Sequence, residues 1–192
     1  MANIGATQED ISELRDSEVD WKAGRIIRKR TKTAAHENVP TVNYPLWPTT
    51  FELLKKFRSG SERVLLTEQG EPYVRTRLRD DGRLSKADGF ASNYVHLKRK
   101  LQRSLPGFNR PLKELRKLGA SLLATHKEYG RFQSYFLGHS PRTVADRHYV
   151  VPPQELFDQA VMWLGQQLGQ VLDEGKPASS SRAAKRKRPA AR

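Results

Sequence analysis

Residues 113–149 read KELRKLGASLLATHKEYGRFQSYFLGHSPRTVADRHY, and this stretch decides how the whole chain is read. Lys113-Glu114-Leu115-Arg116 opens a helix that runs on through Lys117-Leu118-Gly119-Ala120-Ser121. Leu137-Gly138-His139 stands at a helix end, and Tyr149 follows ten residues after the histidine. The pattern predicts helical pieces over 111–125, 129–137, 141–149 and 154–172. They are separated at Thr125-His126-Lys127, at Gly138-His139-Ser140-Pro141 and at Pro152-Pro153.

Working toward the N-terminus, the pattern becomes mixed. Thr7-Gln8-Glu9-Asp10 offers a capping hydroxyl and an acid three residues on, so a short helix starts near Gln8. Lys22-Ala23-Gly24 reads as a turn. Arg25 to Lys32 (RIIRKRTK) is β-branched and basic and predicts a strand, with a partner over Val39 to Tyr44 beyond a loop at His36-Glu37-Asn38. Pro48 suits the first turn of a helix with Phe51, Leu53 and Leu54 inward. Val64-Leu65-Leu66 predicts a short buried strand closed by Gln69-Gly70. Residues 75–89 read as a polar loop. Phe90, Tyr94, Leu97 and Leu101 recur at helical spacing until Pro106-Gly107.

Composition narrows the function classes. The 192 residues carry 35 Lys and Arg against 21 Asp and Glu, a net charge of +14. Seven of those cations and no acid lie in residues 176–192, which leaves +7 for the rest. That tail has almost nothing to bury and predicts disorder. The body, residues 1–174, reads as one domain, and 175–192 as a basic appendage. A polyanion is the partner this balance favours. The absence of cysteine excludes a disulfide scaffold, a thiolate zinc site and a Cys nucleophile, and is compatible with a reducing cytoplasm. His36, His96 and His126 lack metal-ligand spacing, so no metal or other cofactor is expected. No apolar run approaches the ~20 residues of a membrane span.

Taken as an ordered set, the motifs resemble the catalytic domain of the tyrosine recombinases, or phage-type integrases. The family pattern is a His-x-x-Arg box, then Leu-Gly-His, then a tyrosine nine or ten residues on. Here Lys113 to Arg116, Leu137-Gly138-His139 and Tyr149 stand at those places. Earlier family features fall at Gly5-Ala6-Thr7-Gln8-Glu9-Asp10, Lys32-Thr33 and Pro45-Leu46, so the resemblance covers about residues 5–172. It implies an α+β fold, mostly helical, with a small antiparallel sheet. It also implies an N-terminal helical domain; because this sequence begins close to the first motif, a remnant, a start lying upstream and a partner half on a separate protein are all open expectations.

The resemblance further implies a reaction: cleavage and rejoining of double-stranded DNA through a 3′-phosphotyrosyl bond, in the cytoplasm, without metal or nucleotide. Tyr149 would be the nucleophile, Arg116 a phosphate clamp, His139 a phosphate hydrogen-bond partner and Lys32 the general acid. Such a site suits the chemistry, because arginine forks are planar and permanently charged where oxyanion charge grows. Lys113 stands where the family has histidine, keeping a cation but losing a neutral-pH base. Thr7 stands where the family has its first arginine, and such a loss typically costs about 10²–10³ in rate. Arg15, eight residues on, is too far along the chain to substitute. These departures leave a second reading open: a decayed recombinase that binds DNA only. A third is an unrelated basic nucleic-acid binder.

Arg28 and Arg30 in the basic strand, and Lys185, Arg186, Lys187 and Arg188 in the tail, are the candidate DNA-backbone contacts. His148 is either a partner of Tyr149 or a surface histidine. Phe157, Val161, Trp163 and Leu164 form an apolar face on helix 154–172. It either packs on the same domain or, as the resemblance implies, meets a second copy in a DNA-bound ring, a homo-tetramer. Deleting residues 176–192 is expected to lower non-specific DNA affinity and to flatten the slope of log affinity against log salt, since each lost phosphate contact removes a released counterion. An unchanged slope in a fluorescence-anisotropy salt series would remove the tail from DNA binding.

Overall fold

The computed structural model describes residues 1–36, 38–140 and 152–169. Tyr149, the predicted helix 141–149, His148 and the basic tail lie outside the described residues. Helix α1 spans Gln8–Ser12, and Thr7 and Asp10 close the predicted capping box around it. Three antiparallel strands follow: β1 (Val19–Asp20), β2 (Arg25–Arg28) and β3 (Val42–Pro45), in the order β1-β2-β3. Helix α2 (Pro48–Phe57) starts at the proline as expected. A hairpin of β4 (Val74–Leu78) and β5 (Leu84–Asp88) leads into α3 (Gly89–Ser104). Then come α4 (Glu114–Thr125), a 3₁₀ turn at Tyr129–Phe132, α5 (Gln133–Phe136) and α6 (Gln154–Gln167).

One apolar cluster joins the three-stranded sheet to α4, α5 and α6. Leu14, Ile26, Val42, Leu123, Phe136, Phe157, Val161 and Leu164 are all sealed from water within it. Each such side chain contributes about 1.5–3 kcal/mol relative to exposure. Phe157, Val161 and Leu164 are thus consumed by the chain's own core, and Trp163 packs on His126 and Tyr129. Of the two readings of this face, packing on the same domain describes these residues.

Polar bonds of long sequence range fix the layers. Arg25 donates through both terminal nitrogens to the Asp158 carboxylate at 2.8 and 2.7 Å, tying β2 to α6. The indole of Trp47 donates to Val161 O at 2.8 Å, and the buried Tyr44 hydroxyl to Phe136 O at 2.9 Å.

Several local expectations are corrected. The basic strand stops at Arg28, and Thr31–Thr33 forms a 3₁₀ turn, because Asp10 captures the Thr31 amide at 2.9 Å. β3 begins at Val42 rather than Val39, past Pro40, which has no N–H for a ladder. Val64 is buried but forms no strand; its amide donates to Leu14 O. Leu53 is exposed rather than inward. α3 buries no residue, so its apolar spacing serves local contacts such as Phe90 stacked on Tyr73. The stretch 75–89 is the β4-β5 hairpin rather than a loop. Its turn at Asp81-Gly82, with Gly82 at φ +77°, is a hairpin signal that the polar composition obscured. Among the described residues, no helix is long and apolar enough to cross a membrane.

Arg25 and Asp158 are largely shielded, so losing one leaves the other poorly satisfied. Arg25→Ala is expected to destabilise the fold by about 1–3 kcal/mol in urea denaturation, discounted for the residual exposure. Asp158→Asn should cost a similar amount, and the double substitution clearly less than the sum.

Candidate phosphate-binding site

Two local structures build the site. The first is the end of α5. Gly138 takes φ +62°, its amide donates to Tyr135 O at 2.9 Å, and the His139 amide donates to Ser134 O at 3.0 Å. This paired closure is a Schellman turn, and it is why glycine precedes the histidine: only glycine enters the left-handed region without strain. The turn aims His139 at α4. The second is the first turn of α4, which presents Arg116 toward the N-terminal segment and the α5 end together.

Arg116 joins the two. Its Nε donates to Gly5 O at 2.5 Å and its Nη2 to Leu137 O at 3.1 Å. The same Nη2 lies 3.4 Å from His139 Nε2. Burial lowers the Arg116 pKa from its ordinary value, and the positive charge of Arg30 lowers it further; Asp10 and Tyr44 act the other way. Even so lowered, a guanidinium stays protonated at any physiological pH.

The sequence-predicted residues divide as follows. Arg116 and His139 are brought together. Lys32 lies exposed on the 3₁₀ turn and lines a recess with Thr7, Asp10, Arg30 and Lys86. Lys113 is exposed at the N-terminal cap of α4, one turn before Arg116. Arg28 is buried and spent internally, donating to Asp10 O, to Thr31 Oγ1 at 2.6 Å and to Lys29 O at 3.3 Å. That corrects its reading as a DNA contact: the guanidinium braces the turn that carries Lys32. Arg30 is half-buried and lines the site. Tyr149 and Lys185, Arg186, Lys187 and Arg188 lie outside the described residues. Among the described residues, no three His, Asp or Glu side chains are grouped to hold a metal ion.

Two contributors escaped sequence reading. Lys86 on β5 reaches the recess, 3.5 Å from Glu9, and was hidden by reading the hairpin as a loop. Asp10 was read as a cap only. It also accepts the Thr31 amide, so one carboxylate fixes both α1 and the Lys32 turn. Thr7 occupies one oxygen of that carboxylate: its amide and hydroxyl donate to Asp10 Oδ2 at 2.8 and 2.7 Å. Arg15 turns away to Glu62 at 3.1 Å.

No family model matches the sequence, and no curated protein matches it. Solved structures do match the fold. The Tn1549 transposon integrase in complex with transposon right end DNA superposes with a TM-score of 0.53 at 15% identity, over 88% of this chain and 56% of that one. The XerA recombinase gives 0.47 at 15% identity, over 87% and 54%. The chain spans about half the length of the solved chains it matches. The fold is therefore that of a tyrosine-recombinase catalytic domain: mixed helix with small antiparallel sheets.

Burial alone would raise the Asp10 carboxyl, but donors from Thr7 and Thr31 and the charge of Arg28 together hold it below its ordinary 3.8. Its folded pKa is depressed, so its stabilisation is present above the ordinary value and is lost as pH falls through the folded one. Asp10→Asn is expected to cost about 1–2 kcal/mol at pH 7 through the lost cap and turn bonds. The gap from the parent chain should shrink as pH falls below ~4, where the unfolded carboxyl takes up a proton before the folded one does. Urea titrations at pH 7 and pH 3 that show an undiminished gap would contradict this role.

Proposed function

We propose that residues 1–174 form the catalytic part of a tyrosine recombinase or integrase, acting on double-stranded DNA. The observation that carries the reading is the Arg116–His139 contact, held by the Leu137-Gly138 turn on this fold. A guanidinium and an imidazole side by side and half-buried, the guanidinium donating to the Gly5 and Leu137 carbonyls, suit a phosphodiester's non-bridging oxygens.

In the proposed reaction the Tyr149 hydroxyl gives its proton to water and its oxygen bonds the scissile phosphorus. The bond from phosphorus to the 5′-oxygen breaks, and Lys32 Nζ protonates that oxygen as it leaves. The phosphodiester becomes a 3′-phosphotyrosyl ester, with no change in oxidation state. Rejoining reverses each transfer with the same or another 5′-hydroxyl. Lys113 contributes charge near the phosphate, and the basic tail adds sequence-independent attraction.

Thr7 favours a second reading. Threonine is neutral and its hydroxyl proton is committed to Asp10, so the position supplies neither a cation nor a spare donor. A chain weakened in this way would bind DNA without cutting it. One experiment separates the two. Incubation with a nicked duplex suicide substrate should give a covalent protein–DNA adduct on denaturing gels, lost in Tyr149→Phe and reduced at least ~10²-fold in Arg116→Ala. DNA retention without any adduct would establish the binding-only reading.

A further inference from the structure

The position at which Thr7 supplies no cation adjoins an arginine from another element. Arg30, just past β2, lines the recess formed with Gly5, Ala6, Asp10, Tyr44 and Leu137. It also lines the neighbouring recess with Thr7 and Lys32. A Cβ added at Gly138 would stand 3.3 Å from the Arg30 Cβ, so the Arg30 stem lies against the turn that aims His139. The Nε of Arg30 is buried and has no hydrogen-bond partner among the described residues.

Among the described residues, the carboxylates on the neighbouring elements are occupied. Asp10 accepts from Thr7 and Thr31. Glu9 faces Lys86, Glu18 accepts the Arg15 amide and pairs with Arg28, and Asp88 caps α3 through the Ala91 amide. Arg116 spends its Nε and Nη2 on Gly5, Leu137 and His139, and its Nη1 donates to no described residue. Each of the two guanidinia thus retains donor capacity, and the Arg30 charge acts on Arg116 across the Gly5 and Leu137 carbonyls that line the same recess. Like charges held together in a half-buried site are costly unless an anion sits with them.

We propose that Arg30 is the second guanidinium of the phosphate site, binding a tetrahedral oxyanion together with Arg116 in place of the side chain that Thr7 lacks. Assigning that oxyanion to the scissile phosphodiester rests on the recombinase reading; the anion site itself does not. The chain thereby keeps two forks at the phosphate while drawing one of them from the end of a strand rather than from α1. Arg30 also stands two residues before Lys32, so one short segment delivers both a clamp and the proposed proton donor.

The test uses the full chain and inorganic phosphate, titrated at constant ionic strength. Binding is followed by the amide shift of Gly138 and the side-chain Nε–H shift of Arg116, with the remaining amide spectrum reporting the fold. Saturable binding is expected. Arg30→Gln should weaken it about tenfold, the loss typical of one charge-assisted hydrogen-bonding partner. Lys29→Gln, which removes the same charge one residue away on an exposed side chain, should leave it within about twofold of the parent. Arg30→Lys keeps the charge without the fork and should fall between, which also covers the case in which the glutamine variant does not fold. An Arg30→Gln affinity equal to the parent's, an equal loss in Lys29→Gln, or no saturable binding in the parent would overturn the proposal. The suicide-substrate assay on the same proteins keeps the two ideas apart. Arg30-dependent phosphate binding without an adduct sinks the recombinase reading and leaves the anion site. An adduct that forms equally well in Arg30→Gln, with unchanged phosphate affinity, does the reverse.

Discussion

The Arg116 guanidinium is the joint on which the site depends. It grips carbonyls 111 and 21 residues away, at Gly5 and Leu137, and touches His139 with the same nitrogen. These bonds draw the N-terminal segment, α4 and the end of α5 into one corner. They also orient the fork before any ligand arrives. Neutral carbonyls orient the guanidinium without cancelling its charge, as a directly bonded carboxylate would. Gly5 serves this corner by its shape: at φ +55° a Cβ there would meet Phe136 O at 2.6 Å, so the carbonyl that Arg116 holds exists only on a glycine.

Around that joint the domain divides its cations between bracing and binding. Arg25 is neutralised by Asp158 and holds the sheet to α6. Arg28 is buried against Asp10 and Thr31 and shapes the Lys32 turn. Arg30 and Lys32, next along the same basic run, face the recesses instead. Four of the five cations in residues 25–32 are therefore divided between bracing and lining the recesses, set by which acids and carbonyls the rest of the fold brings near. The net positive charge favours a polyanion as partner, and this division separates the cations that brace the fold from those that line its recesses.

Local codes carried far in this chain. The Thr7–Asp10 capping box, Pro48 at the start of α2 and the Leu137-Gly138-His139 turn act through neighbours three to five residues away, and they form where the residues predict. The misses have physical causes as well. The β4-β5 hairpin leaves Leu78 and Leu84 exposed, so its strands lack the inward-outward alternation that marks a half-buried strand. The apolar spacing of α3 rests on small contacts such as Tyr73 with Phe90 and never enters the core. Val64, sealed in the interior, is held by its amide donating to Leu14 O and its carbonyl accepting from the Ser59 amide rather than by a ladder.

The sequence by itself determined the turns, the caps, the charge and the ordered motif that names a fold class, because each of these is written in adjacent residues. Tertiary structure decided which arginine is a brace and which is open, that α6 spends its apolar face inside its own domain, and that Arg30 stands beside the gap left at Thr7. Those outcomes rest on partners from 18 to more than 130 residues away. Only the packed sheet-and-helix core determines the distances between such partners, and distance is what turns a cation into a strut or a ligand site.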